Sequence, residues 1–87
     1  MREISNEDLD VEVRLVLIEA RRPIMRDSVA NLVHVRIGIK HDLPQASRIS
    51  ASLRRLRQAG YVAFVHYPTG WLHADNKRAR DFWAGRR

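Results

Sequence analysis

The chain has 87 residues, 45% of them hydrophobic and 30% charged, with a formal net charge of +6 and no cysteine. That balance suits one compact globular domain, too apolar for a disordered tail, and the missing cysteines exclude a disulfide scaffold or a cysteine-based zinc finger. No apolar run approaches the roughly 18–20 residues that cross a bilayer, and the polar, acidic first residues do not read as a signal peptide, so a cytoplasmic protein with no membrane partner is expected.

The charge is segregated along the chain. Residues 1–20 hold Arg2 and Arg14 against six acids, a balance of −4. Residues 21–87 hold 14 basic side chains against Asp27, Asp42, Asp75 and Asp81, a balance of +10. So basic a segment attracts polyanions by its field and by releasing their condensed counterions, which puts nucleic acid ahead of a merely solubilising charge.

The first element is a helix over about 6–21. Ser5 is placed as its N-cap, Asp8 completes a capping-box-like pair, and Ile4 and Leu9 form a hydrophobic staple. Arg21 and Arg22 suit the negative end of the helix dipole, and Pro23 stops the run. Leu9, Val13, Val16 and Ala20 form a core-facing stripe, while Val11, Leu15 and Ile18 lie on roughly the opposite side. The second helix spans about 26–33, with Val29, Leu32 and Val33 as its apolar positions. From Val33 to Ile39 apolar and polar residues alternate, which reads as a strand or an extended link; the link is preferred.

The third helix runs over about 43–59. Asp42 and Gln45 suggest a cap, Pro44 suits the first turn, and Gly60 supplies the left-handed terminal residue. Ala46, Ile49, Leu53 and Leu56 form its apolar stripe, and no acid occurs between Asp42 and Asp75. The period then changes from 3.6 to 2, and residues 61–74 read as a β-hairpin turning at Tyr67-Pro68-Thr69-Gly70. A short helix over about 76–84, carrying Ala79, Phe82 and Trp83, closes a single domain spanning residues 1–87.

Three helices followed directly by a hairpin is the order of a winged helix-turn-helix, a mainly α fold with a small β-hairpin. Ser47-Arg48-Ile49-Ser50-Ala51-Ser52-Leu53-Arg54-Arg55-Leu56-Arg57-Gln58-Ala59-Gly60-Tyr61-Val62 resembles the recognition helix and first wing strand of small bacterial or phage regulators, such as the multiple-antibiotic-resistance and arsenical-resistance families. Pro23 to Ala30 resembles the entry to their second helix. The link from Val33 to Asp42 is longer than the tight turn typical of the motif. The resemblance implies a DNA-binding transcriptional regulator, in the simplest case a repressor.

The chemistry of the side chains agrees with that implication. A helix fits the major groove, and the first half of the third helix offers Gln45, Ser47, Arg48 and Ala51 to base edges, with Arg54 beyond. Arg55 and Arg57 stand further back, toward phosphate; Ser28 suits phosphate at the start of the second helix, and His66, Tyr67 and Thr69 mark the wing tip. The alternative is a winged-helix module that docks on an acidic protein. An enzyme is not expected. Ser47, Ser50 and Ser52 have no evident base, and no Gly-rich phosphate loop occurs. His34/His41 and His66/His73 lack the accompanying ligands of a metal site, so no metal or other cofactor is expected. The second stripe of the first helix, Val11, Leu15 and Ile18, calls for a cover that Phe82 and Trp83 can supply. Within one chain that contact makes a monomer; between chains it makes a two-fold homodimer on paired half-sites, the preferred expectation.

Overall fold

The computed structural model describes residues 4–38, 45–66 and 69–74. Three helices, α1 (Asn6–Ala20), α2 (Arg26–Ile37) and α3 (Ala46–Gln58), precede an antiparallel hairpin of β1 (Val62–His66) and β2 (Thr69–His73). The architecture is mainly α with a C-terminal hairpin, a topology compatible with a winged helix-turn-helix. The expected helix over 76–84, with Phe82 and Trp83, lies outside the described residues, as do Asp42, Pro44 and Tyr67.

Local chemistry fixes the start of α1. The Asp8 backbone N–H donates to Ser5 Oγ at 3.0 Å, relieving one of the amides that a helix start leaves without a partner. The helix stops at Ala20, so Arg21 and Arg22 sit just past the last turn rather than in it. Arg21 takes a left-handed conformation (φ 54°), which turns the chain into Pro23.

The second helix runs one turn further than the alternating pattern of residues 33–39 suggests. Val29 and Val33 are fully buried, and Ile37 extends the same stripe onto the core. Arg36 fixes that last turn to α1, donating from Nε to Glu12 (2.7 Å) and from Nη1 to Glu19 (2.9 Å). The hydrogen bond to Glu12, ahead of the other contacts, raises the Arg36 guanidinium above its ordinary pKa. A helical surplus of contacts thus outweighs the strand propensity of Val33, Val35 and Ile37.

Gln45 is the N-cap of α3 and makes no side-chain cap bond, so the helix starts at Ala46 rather than at about 43. The far end is a Schellman stop. Tyr61 N–H donates to Leu56 O (2.9 Å), Gly60 N–H donates to Arg57 O (3.1 Å), and Gly60 has φ 87°.

Leu9, Val13, Val16 and Leu17 of α1 meet Val29 and Val33 of α2 and Ile49, Leu53 and Leu56 of α3 in one core, closed by Val62 from the hairpin. Ala46 is exposed and takes no part in it. Within the hairpin Val62 pairs with His73 and His66 with Thr69, so Thr69 and Gly70 belong to the return strand and not to the turn. Ile24, outside both strands, makes an isolated antiparallel bridge to Trp71, with Ile24 N–H to Trp71 O at 3.0 Å and Trp71 N–H to Ile24 O at 2.7 Å. Gly70 permits this contact, because a Cβ there would lie 2.6 Å from the Ile24 backbone nitrogen.

Candidate nucleic-acid interface

The amphipathicity of α3 sorts its side chains into four strips. Ile49, Ser52, Leu53 and Leu56 face inward and are buried. Arg48 and Arg55 lie on the flank toward α1. Arg48 Nη2 donates to Ile4 O (2.6 Å) and to Asn6 Oδ1 (3.0 Å). Arg55 grips Asp10 with two parallel bonds, Nε to Oδ2 at 3.0 Å and Nη2 to Oδ1 at 2.7 Å, the strong geometry of a guanidinium on a carboxylate. Ser52 Oγ, fully buried, donates to the same carboxylate at 2.5 Å. Burial at Asp10 opposes its charge, but the hydrogen bonds from Arg55 and Ser52 and the charge of Arg55 outweigh it and hold the carboxyl below its ordinary pKa. The bond to Asp10 likewise raises the Arg55 guanidinium.

These contacts revise what the charge segregation means. The acids Asp10, Glu12 and Glu19 of α1 are internal partners of Arg55 and Arg36, so part of the −4 and +10 contrast joins the helices together. The cations left on the outside of α3 are Arg54 and Arg57.

The outward strip of α3 carries exposed Ser47, Arg54 and Gln58, with Ala51 half-buried between them; Gln45 is exposed at its start. The fourth strip, Ser50, Arg54 and Arg57, borders an open groove of about 500 Å³ whose other wall includes Met25, Arg26 and Trp71. Arg26 spans it, donating from Nη1 to Ser50 Oγ at 3.3 Å and lying 3.4 Å from the exposed carboxylate of Asp27. The sequence does not mark Arg26, Ser50 or Trp71 as nucleic-acid contacts; a cation in the first turn of α2 is a signal only once α2 is known to abut α3.

The remaining expected residues are spread around this centre. Ser28 is exposed in the first turn of α2, whose N-cap Met25 supplies no side-chain acceptor. In the hairpin His66 and Thr69 are exposed, and Thr69 Oγ1 donates to His66 O at 2.7 Å. His66 stands edge-on to Phe64 (5.4 Å, 86°), and Phe64 stands edge-on to Trp71 (5.1 Å, 66°), the geometry aromatic pairs favour. On the far flank of α1, Arg14 covers the Tyr61 ring at 4.0 Å and its Nε lies 3.4 Å from buried His73. Among the described residues no cluster of His, Asp or Glu is placed to hold a metal ion, and no helix is long and apolar enough to cross a membrane.

The chain was compared with protein-family models, curated proteins and solved structures. It matches none of them.

Proposed function

We propose that this protein binds double-stranded DNA sequence-specifically, as a transcriptional regulator that inserts α3 into the major groove. One observation carries the reading. The outward side of α3 presents Ser47, Arg54, Arg57 and Gln58 to solvent with no acidic side chain along the helix, while Arg48 and Arg55 hold the other flank to α1. An α-helix about 10–12 Å across fits a groove about 12 Å wide. In that pose Arg54 donates a pair of hydrogen bonds to guanine, Ser47 and Gln45 reach neighbouring base edges, and the small Ala51 allows close approach to a thymine methyl.

Arg57 and Arg26, further from the axis of the groove, meet phosphates, and Ser28 with the uncapped amides of α2 meets another. The exposed His66 and Thr69 of the hairpin follow the adjoining backbone or minor groove. Arg48 and Arg55 enter the proposal as the clamps that fix the angle of α3, since their donors already serve α1.

The test is a fluorescence-anisotropy titration of the full chain on a random duplex pool and on duplexes selected from it. Arg54→Ala is expected to weaken selected-site binding by about 1–3 kcal/mol, on the order of ten- to a hundred-fold, and to relax preference at one base pair. Failure to bind any duplex at low salt overturns the proposal and leaves the basic face to an acidic protein partner.

A further inference from the structure

Among the described residues, each side of α1 has a neighbour except one. Leu9, Val13, Val16 and Leu17 enter the core. Asp10 turns to α3, Glu12 and Glu19 to α2, and Arg14 to Tyr61. The side left over is apolar: Val11, Leu15 and Ile18, at i, i+4 and i+7, with Val11 52% and Ile18 43% exposed. Exposed Glu7 and Asp8 stand at the start of this stripe, and exposed Arg21 and Arg22 follow just past the helix end.

Acids at one end, bases at the other and an apolar middle make a pattern that complements its own reversal. Two copies of α1 laid antiparallel, with the axis between Arg14 and Leu15, bring Val11 against the partner's Ile18 and carry the acidic start, Glu7 and Asp8, toward the partner's Arg21 and the partner's Arg22 just past its last turn. Val11 and Ile18 lie about 10 Å apart along the helix, so the reversed stripe meets itself in register. A parallel pairing would set Glu7 on the partner's Glu7 and Arg22 on the partner's Arg22, so like charges exclude it. The reversed pairing repeats each contact twice and closes, as a two-fold interface must.

We propose that the outward face of α1 docks a second copy of this chain, antiparallel about a two-fold axis between Arg14 and Leu15. The inference does not depend on DNA binding and is read without DNA. Sedimentation equilibrium of the full chain at tens of micromolar is expected to give twice the 10.1 kDa chain mass. Ile18→Asp, at an exposed position that leaves the fold intact by circular dichroism, returns the chain to monomer.

Arg22→Glu sets like charges together at both ends and weakens association at least several-fold. Glu7→Arg does the same, and the double variant Glu7→Arg/Arg22→Glu recovers dimerisation to within a few-fold of the parent. A monomer at every concentration overturns the proposal, and covering of the stripe by the chain's own residues 75–87 would have that signature. So does a dimer that Arg22→Glu leaves unchanged, or one that the double variant fails to restore.

Discussion

Gly70→Ala tests how the hairpin is joined to the helices. The added methyl would lie 2.6 Å from Ile24 N, 2.8 Å from Pro23 C and 2.9 Å from Ile24 C. All three are backbone atoms, so no side-chain rotation relieves the clash, and either β2 or the segment after α1 must move. Overpacking of this kind costs about 1–3 kcal/mol. The movement also strains the two Ile24–Trp71 hydrogen bonds, at 3.0 and 2.7 Å, each worth about 1 kcal/mol net.

The expected loss is therefore about 2–4 kcal/mol, a large fraction of the roughly 4–13 kcal/mol available to a chain this long. Urea unfolding followed by circular dichroism measures it, with Thr69→Ala as the neighbour that removes only one exposed hydrogen bond and costs under about 1 kcal/mol. Hydrogen exchange at the Ile24 and Trp71 amides is expected to accelerate in Gly70→Ala. Stability within about 0.5 kcal/mol of the parent, with those amides still protected, would refute the close approach.

Ser5→Ala removes the α1 cap and is expected to cost about 1 kcal/mol in the same urea assay. Asp10→Asn loses the charge that binds Arg55 and Ser52 and is expected to cost about 1–2 kcal/mol at neutral pH. Because folding depresses the Asp10 pKa, its contribution is present above the unfolded value of about 3.9 and is lost as pH falls through the folded value. Parent and variant stabilities should therefore converge below about pH 4; a constant offset down to acid unfolding would contradict the assigned pair. Arg36→Ala releases the last turn of α2 from Glu12 and Glu19, and hydrogen exchange at Val35–Ile37 should quicken several-fold while Val29 stays protected.

What was legible in the sequence is what local rules decide. The Ser5 cap, the Gly60 stop, the Ile49–Leu53–Leu56 stripe and the change of period after Gly60 each depend on neighbours within a few residues. They place three helices and a hairpin without reference to the rest of the chain. The sequence alone ends the second helix near residue 33, because residues 33–39 alternate as a strand does. The contacts that hold them helical reach Glu12 and Glu19, 24 and 17 residues away.

Arg48 and Arg55 illustrate the same limit at the candidate site. On a helical wheel they belong to the polar surface, and only the position of α1, more than 40 residues earlier, turns them inward to Asn6 and Asp10. Arg26, Ser50 and Trp71 come together across a groove that no sequence spacing records. The outward place of Ser47 and Arg54 did follow from the pattern, because it is the complement of the buried stripe.

In the proposed binding mode the cations outside α3, and not the ones clamped to α1, meet the duplex. The most direct measurement is the salt dependence of duplex affinity for the parent and for Arg54→Ala/Arg57→Ala. Log affinity is expected to weaken linearly with log salt, with a slope about one unit shallower in the double variant as the Arg57 phosphate contact is lost, and with a lower affinity throughout as the Arg54 base contact is lost. An unchanged slope and affinity in a folded double variant would contradict it.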